Sequence, residues 1–417
     1  MRRLPGVSAT NDHADTLAPL ARPALVQAAL RTTTERLAAE LIAPASSAPE
    51  WSDFEWRTAR AVAAMHGISG VLAGRLRWHG AHGWQAFLFT QREHIARRHA
   101  RIQNLLSQID QELRRRQVPG VALKGAALHA EGFYEAGDRP MGDIDLLVDP
   151  AHAELVAHVL VSLGFRCSSR SFKQDVFVAQ HETPPRPFGE HADNDMKVEL
   201  HTRIVEPLPL RLAGIPQHVL MRDARPGLNP YPSRAALVAH LLLHAAGAMA
   251  GRSLRLIQLH DIALLGRCST QQEWQEMLTW DPWWALPPLV LTERYYGPIA
   301  PRGVLASLRQ SCPRILRRVS SRQKVSDVSL SHLWVSAFPG LEWARSPLEA
   351  LRFMAGRVIP SAQVRSDRRM QLDSEPSLAE GDWARLSQGG RILRFLTSRT
   401  PRPWPMHNVR AALAQRP

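Results

Sequence analysis

Two aspartates, Asp143 and Asp145, stand one residue apart at the head of an apolar run, DIDLLV. Side chains alternate across a strand, so both carboxylates share one face while Ile144 and Leu146 take the other. Carboxylates held that close repel each other and lose hydration, and a cation between them relieves both costs. A hard divalent cation, Mg²⁺ above all, suits oxygen ligands and takes its remaining ligands from phosphates and water. Acids also cap strands where a chain leaves its core, so the pair needs support. Glu199 supplies some. It lies in MKVELHTRI between Val198 and Leu200, an acid inside an apolar alternation, with Lys197 and His201 on its own face. LKGAAL supplies more, because a Lys–Gly bend entering a helix offers an ammonium and backbone N–H groups to polyphosphate.

The surrounding pattern places these residues. VALK (121–124) reads as a strand, and Gly125 turns the chain into a helix. DIDLLV (143–148) is a second strand, Asp149 and Pro150 start a helix, and Leu155, Val156, Val159, Leu160 and Leu163 give it one apolar face up to Gly164. DVFVAQ and MKVELHTRI read as two further strands around a polar loop, 181–195. Upstream, Ile95, Ile102, Leu105, Leu106, Ile109 and Leu113 form a helical stripe that ends at Pro119–Gly120. Beyond about 232 the pattern is helical again. The expectation is an α+β protein: a small mixed sheet at 119–232, flanked by helical regions at 31–118 and 233–362. Residues 1–30 are expected to be loosely ordered. The basic segment 363–417 opens on an exposed linker at 366–382.

Composition narrows the class. With 417 residues and 45% hydrophobic content the chain can bury a sizeable core, and no stretch is long and apolar enough to span a bilayer. The N-terminus lacks the apolar segment of a secretion signal, and three scattered cysteines suggest neither disulfides nor zinc, so a cytoplasmic location is expected. From residue 301 onward there are 20 Lys+Arg against 8 Asp+Glu, which is +12 of the chain's +14. That end could attract an acidic partner, although no RNA-reading motif is present to argue for nucleic acid. P-loop and GxSxG patterns are absent.

The run VPGVALKGAALHAEGFYEAGDRPMGDIDLLVDPAHAELVAHVLVSLGF resembles the core of an uncharacterised nucleotidyltransferase family within the DNA polymerase β-like superfamily. KVELH and HLLLHAAGAMAGRSLRLIQLHDIALL follow in the expected order, then FPGLEWARSPLEALRFMAGRVIP, so the likeness covers about 90–362 and is strongest over 121–165. The resemblance implies that Asp143, Asp145 and Glu199 ligate metal, two Mg²⁺ ions being expected, and carry catalysis. It places Lys124 and Gly125 in the nucleotide-phosphate turn. Read from its position alone, Arg139, four residues before Asp143, could brace a triphosphate or stand as a surface arginine in a turn. The chain departs from the superfamily pattern at Ala126, where serine is common, and at Glu199, where aspartate is common. The implied reaction moves NMP from an NTP to a hydroxyl on a small molecule, a sugar or a peptide, in a biosynthetic pathway. A nucleotide-binding partner that no longer turns over is the alternative.

Other residues carry plainer readings. Tyr134 could stack on a base or close a helix onto the core. His240 and His244, four apart among Leu and Ala, read as helix-packing or phosphate-contacting histidines, and Asp261 as a structural residue capping its helix or pairing Arg255. Trp280, Trp283, Trp284, Trp334 and Trp343 read as packing anchors.

Overall fold

A computed structural model describes residues 22–81, 83–180, 188–209, 211–362, 364–365 and 386–414. Helices α1 (Pro23–Glu40), α2 (Asp53–Met65) and α3 (Ser69–Arg75) precede the long α4 (Trp84–Arg115), whose buried stripe is the one legible in the sequence. Ser52 and Glu55 close a capping box at the start of α2, satisfying N–H groups that would otherwise be orphaned. The chain then runs β1 (Pro119–Ala122), α5 (Lys124–Ala130), β2 (Ile144–Val148), α6 (Ala153–Ser162), β3 (Phe165–Arg170), β4 (Asp175–Ala179) and β5 (Lys197–His201). A hairpin of β6 (Ile204–Leu208) and β7 (Arg211–Ile215), a turn of helix α7 (Gln217–Leu220) and β8 (Gly227–Asn229) complete this region. The six-stranded sheet has the order β3-β4-β5-β2-β1-β8. Strand β2 sits at its centre, antiparallel to β1 and parallel to β5.

The rest is helical: α8 (Arg234–Ala250), α9 (Leu256–Cys268), α10 (Gln271–Leu278), α11 (Leu286–Tyr296), α12 (Arg302–Ser311), α13 (Arg314–Ser320), α14 (Val325–Val328), α15 (Pro347–Val358), α16 (Gln388–Thr397) and α17 (Pro403–Ala414). The protein is α+β, with helices flanking a mixed sheet. One face of the sheet packs Ile144, Leu146, Val148, Val198 and Leu200 against α4 and α6. The other face turns Leu147 into a second core that gathers Leu30, Trp56, Leu128, Leu242 and Val409, so helices from both ends of the chain share one apolar interior. Asp145 lies on this second face with Leu147, by the alternation of β2. Among the described residues no helix is long and apolar enough to cross a membrane.

Several expectations change in detail. Asp143 falls in a bend just before β2, so only Asp145 of the pair is held by ladder hydrogen bonds. Lys124 opens α5 where a strand end was expected, in the left-handed region at φ 48°. MKVELHTRI is two strands, because bends at Thr202 and Arg203 send β6 out of the main sheet to pair with β7. Loose order over 1–30 does not hold from Pro23 on, where α1 begins with proline in its first turn. Part of the 181–195 loop and the whole 366–382 linker lie outside the described residues.

Candidate active site

Parallel pairing sets Asp145 directly opposite Glu199, so their side chains rise side by side from adjacent strands. His201, two residues along β5, joins them on the same face. Ligand atoms of Asp145, Glu199 and His201 all lie within 4.8 Å of one another, and all three residues are buried. His201 Nε2 lies 3.0 Å from Asp145 Oδ1 and 3.9 Å from Glu199 Oε2, while its Nδ1 is buried with no hydrogen-bond partner among the described residues. Asp143 stands at the mouth of this group, its side chain 39% exposed.

Two ammonium groups lie among these oxygens. Lys124 Nζ is 2.6 Å from Asp145 Oδ1, and Lys197 Nζ is 2.6 Å from Glu199 Oε1 and 3.8 Å from Asp143 Oδ2. Burial by itself would raise the Asp145 carboxyl, but the Lys124 charge and the His201 hydrogen bond outweigh it and hold the group well below the usual carboxylate range. Lys124 is affected in reverse: burial would lower it, and Asp145 and Asp143 raise it instead. Arginine provides all but four of the chain's 52 basic residues, yet the cations on these acids are lysines. A third lysine, Lys173, pairs with Glu206 at 2.8 Å, and Glu206 also meets His244 Nδ1 at 3.2 Å. A compact ammonium on a flexible stem can move off a carboxylate and onto a phosphate; a planar guanidinium fork is less suited to that exchange.

The donor set suits a hard divalent cation. Two buried carboxylates and a half-exposed third supply oxygens, an imidazole stands beside them, and the positive charge already drawn between the acids shows the field that such an ion would meet.

Sequence reasoning missed the residue that holds the two acid-bearing segments together. Arg98, on α4 and buried, donates from Nε to the Met141 carbonyl at 3.1 Å and from Nη2 to those of Gly142 at 3.3 Å and Asp195 at 3.0 Å. Nη1 reaches the Asn194 carbonyl at 2.5 Å. One guanidinium therefore ties the entrance of β2 to the entrance of β5. The signal was present: Arg98 lies between Ile95 and Ile102 on the apolar stripe, where a charge needs a reason.

Arg139, expected to brace a triphosphate, has Nε and Nη2 on the two oxygens of Asp261 at 2.9 and 2.8 Å, a buried bidentate pair. Asp261 thus has Arg139, not Arg255, as its partner, and it also accepts from Tyr134 Oη at 2.7 Å. These contacts link the segment before β2 to α9. Gly125 is explained by the same guanidinium: a Cβ there would lie 2.2 Å from Arg139 Nη1. Lys124 N–H donates to Tyr231 Oη at 3.3 Å, and that hydroxyl meets His240 Nδ1 at 2.7 Å, so His240 supports the Lys–Gly bend from behind. Trp283, Trp284 and Trp343 are buried packing residues, as expected.

A family model described as "Uncharacterised nucleotidyltransferase" matches residues 52–279, more than half of the chain. Comparison with curated proteins found no match, and comparison with solved structures found none either.

Proposed function

Because the chain belongs to this family of uncharacterised nucleotidyltransferases and is therefore a nucleotidyltransferase enzyme, we propose that it transfers NMP from an NTP to a hydroxyl of a small-molecule, sugar or peptide acceptor in a biosynthetic pathway. The observation that supports this most is the Asp145–Glu199 pair, set opposite each other on neighbouring parallel strands with His201 beside them. Asp145, Glu199 and Asp143 would hold divalent metal, with Mg²⁺ the natural choice and two ions the expected number. Such metal supplies charge neutralisation for the triphosphate and a lowered pKa for the acceptor hydroxyl.

The chain's own groups do the rest. The acceptor oxygen bonds to the α-phosphorus, the bond from that phosphorus to the bridging oxygen breaks, and pyrophosphate leaves with the electron pair. Glu199 receives the hydroxyl proton. Lys124, beside the Lys–Gly bend, passes from Asp145 to a phosphate oxygen, and Lys197 does the same from Glu199. His201 keeps Asp145 oriented through Nε2. Arg139 and Gly125 act beneath the bend, fixing its path through Asp261. Catalysis of this kind is mostly positioning and electrostatic stabilisation.

The test is to incubate the protein with each α-labelled NTP, Mg²⁺ and a cell extract, and to trace the label. Transfer to an extract component is expected. It should fall at least about a thousandfold in Asp145→Asn and in Asp143→Asn, with circular dichroism unchanged. An undiminished rate in either variant removes that residue from the site. Nucleotide binding with no labelling from any NTP would support the alternative, a nucleotide-binding partner without turnover.

A further inference from the structure

Helix α8 passes behind the acidic site at His240 and ends at Ala250, just before Arg252 and roughly 15 Å further along at 1.5 Å per residue. A cleft of about 530 Å³ opens there, lined by Arg252, Arg318, Arg322, Gln323, His332 and Ser336. Its acid, Asp327, is paired with Arg31, and Arg252 is paired with Glu342 at 2.9 Å. Arg318 and Arg322 face the cleft with no acidic partner among the described residues. His332 registers the field: burial, with Arg252 and Arg402 nearby, pushes its imidazole down to about 4.

A second cleft, of about 360 Å³, meets the first at Ser336; Val335, Phe338, Val358, Ile392 and Phe395 line it, with Arg357, Arg365, Arg391 and Arg394 among them. Helices α15 and α16 bury no residue at all; Leu396, which lines this cleft, is 75% exposed, and Leu351 (59%), Leu393 (63%) and Ile359 (78%), just past α15, are exposed as well. Residues 386–414 contain five arginines and no Asp or Glu. A cationic recess joined to a cleft in which apolar side chains alternate with arginines is complementary to an amphiphile with an anionic head and a hydrocarbon chain.

We propose that the joined clefts bind an anionic amphiphile, its phosphate head against Arg318 and Arg322 and its chain along Val358, Ile392 and Phe395. This places the α15–α16 face on anionic lipid surfaces. The site is separate from the acids of β2 and β5 and does not depend on their chemistry.

The test uses the full chain with vesicles of phosphatidylcholine alone or with one-fifth phosphatidic acid, and in parallel with dodecyl phosphate and inorganic phosphate. Sedimentation with the anionic vesicles only is expected, together with binding of dodecyl phosphate at least tenfold tighter than inorganic phosphate. Arg318→Glu with Arg322→Glu should weaken vesicle binding about thirtyfold, as expected for the loss of two arginine–headgroup contacts. Phe395→Asp should weaken dodecyl phosphate binding and leave the melting temperature unchanged, since the residue is partly exposed. Equal sedimentation with neutral vesicles, or vesicle binding untouched by the arginine pair, overturns the proposal. So does inorganic phosphate matching dodecyl phosphate with Phe395→Asp silent, which would make the cleft a small-anion site.

Discussion

Arg98 shows how much of a site can rest on a residue outside its chemistry. Its guanidinium meets four backbone carbonyls in the segments that lead to Asp143 and to Glu199. Truncation leaves buried acceptors unpaired, so Arg98→Ala is expected to cost about 2–4 kcal/mol of stability by urea denaturation. It should also raise several-fold the Mg²⁺ concentration needed for half-maximal transfer, because the two acid segments lose their common tie. Stability loss with an unchanged Mg²⁺ requirement would limit Arg98 to a folding role. The face that Asp145 and Glu199 each take was legible in the sequence, since an acid in an apolar alternation declares which face it is on, but their juxtaposition comes from the pairing of β2 with β5. His201 was visible on that face too, but its contact with Asp145 depends on which strands pair. Arg98 was harder to see, because a lone arginine on a helical stripe does not name the carbonyls it will meet.

Among the elements, α5 is the helix expected after Gly125, starting one residue earlier at Lys124. Lys–Gly at 124–125 looked like a flexible phosphate turn, yet the glycine is demanded by the Arg139 guanidinium packed against it. Gly125→Ala is therefore expected to displace the Arg139–Asp261 pair and to destabilise by about 1–3 kcal/mol in denaturant unfolding. A change below about 0.5 kcal/mol would mean that the guanidinium relaxes freely. MKVELHTRI misled for another reason. Ile204 restores the two-residue period after the bend, so the pattern runs on while the chain leaves one sheet for another. Periodicity reports which side chains are buried, and it is silent on which strand receives the hydrogen bonds.

At the scale of the whole molecule, buried neutral histidines should govern acid stability. His66 Nδ1 accepts from the Leu256 N–H at 3.0 Å at the start of α9, which requires that nitrogen to be unprotonated, and its Nε2 meets Ser331 Oγ at 2.8 Å. Burial, with Arg255 nearby, pushes His66 down to about 3, and burial pushes His260 down to about 4. Both values lie below the usual 6.5, so between them the unfolded chain binds more protons and stability falls as pH drops through 6.5. By pH 5 each is expected to cost about 2 kcal/mol, at 1.36 kcal/mol per unit. The Lys124–Asp145 pair should still hold there, because Asp145 titrates well below the usual carboxylate range. Denaturant unfolding at pH 7.5 and pH 5 checks this, and equal stabilities would contradict it. The sequence by itself determined the α+β class, the α4 stripe and the faces taken by Asp145 and Glu199 in their strands, because alternation and helical spacing are local and survive in one dimension. The partners of those acids were decided only by tertiary structure. Arg139 reaches Asp261 across 122 positions and Asp145 meets His201 across 56. Such contacts depend on strand pairing and helix packing, which distribute residues in space without regard to their distance along the chain.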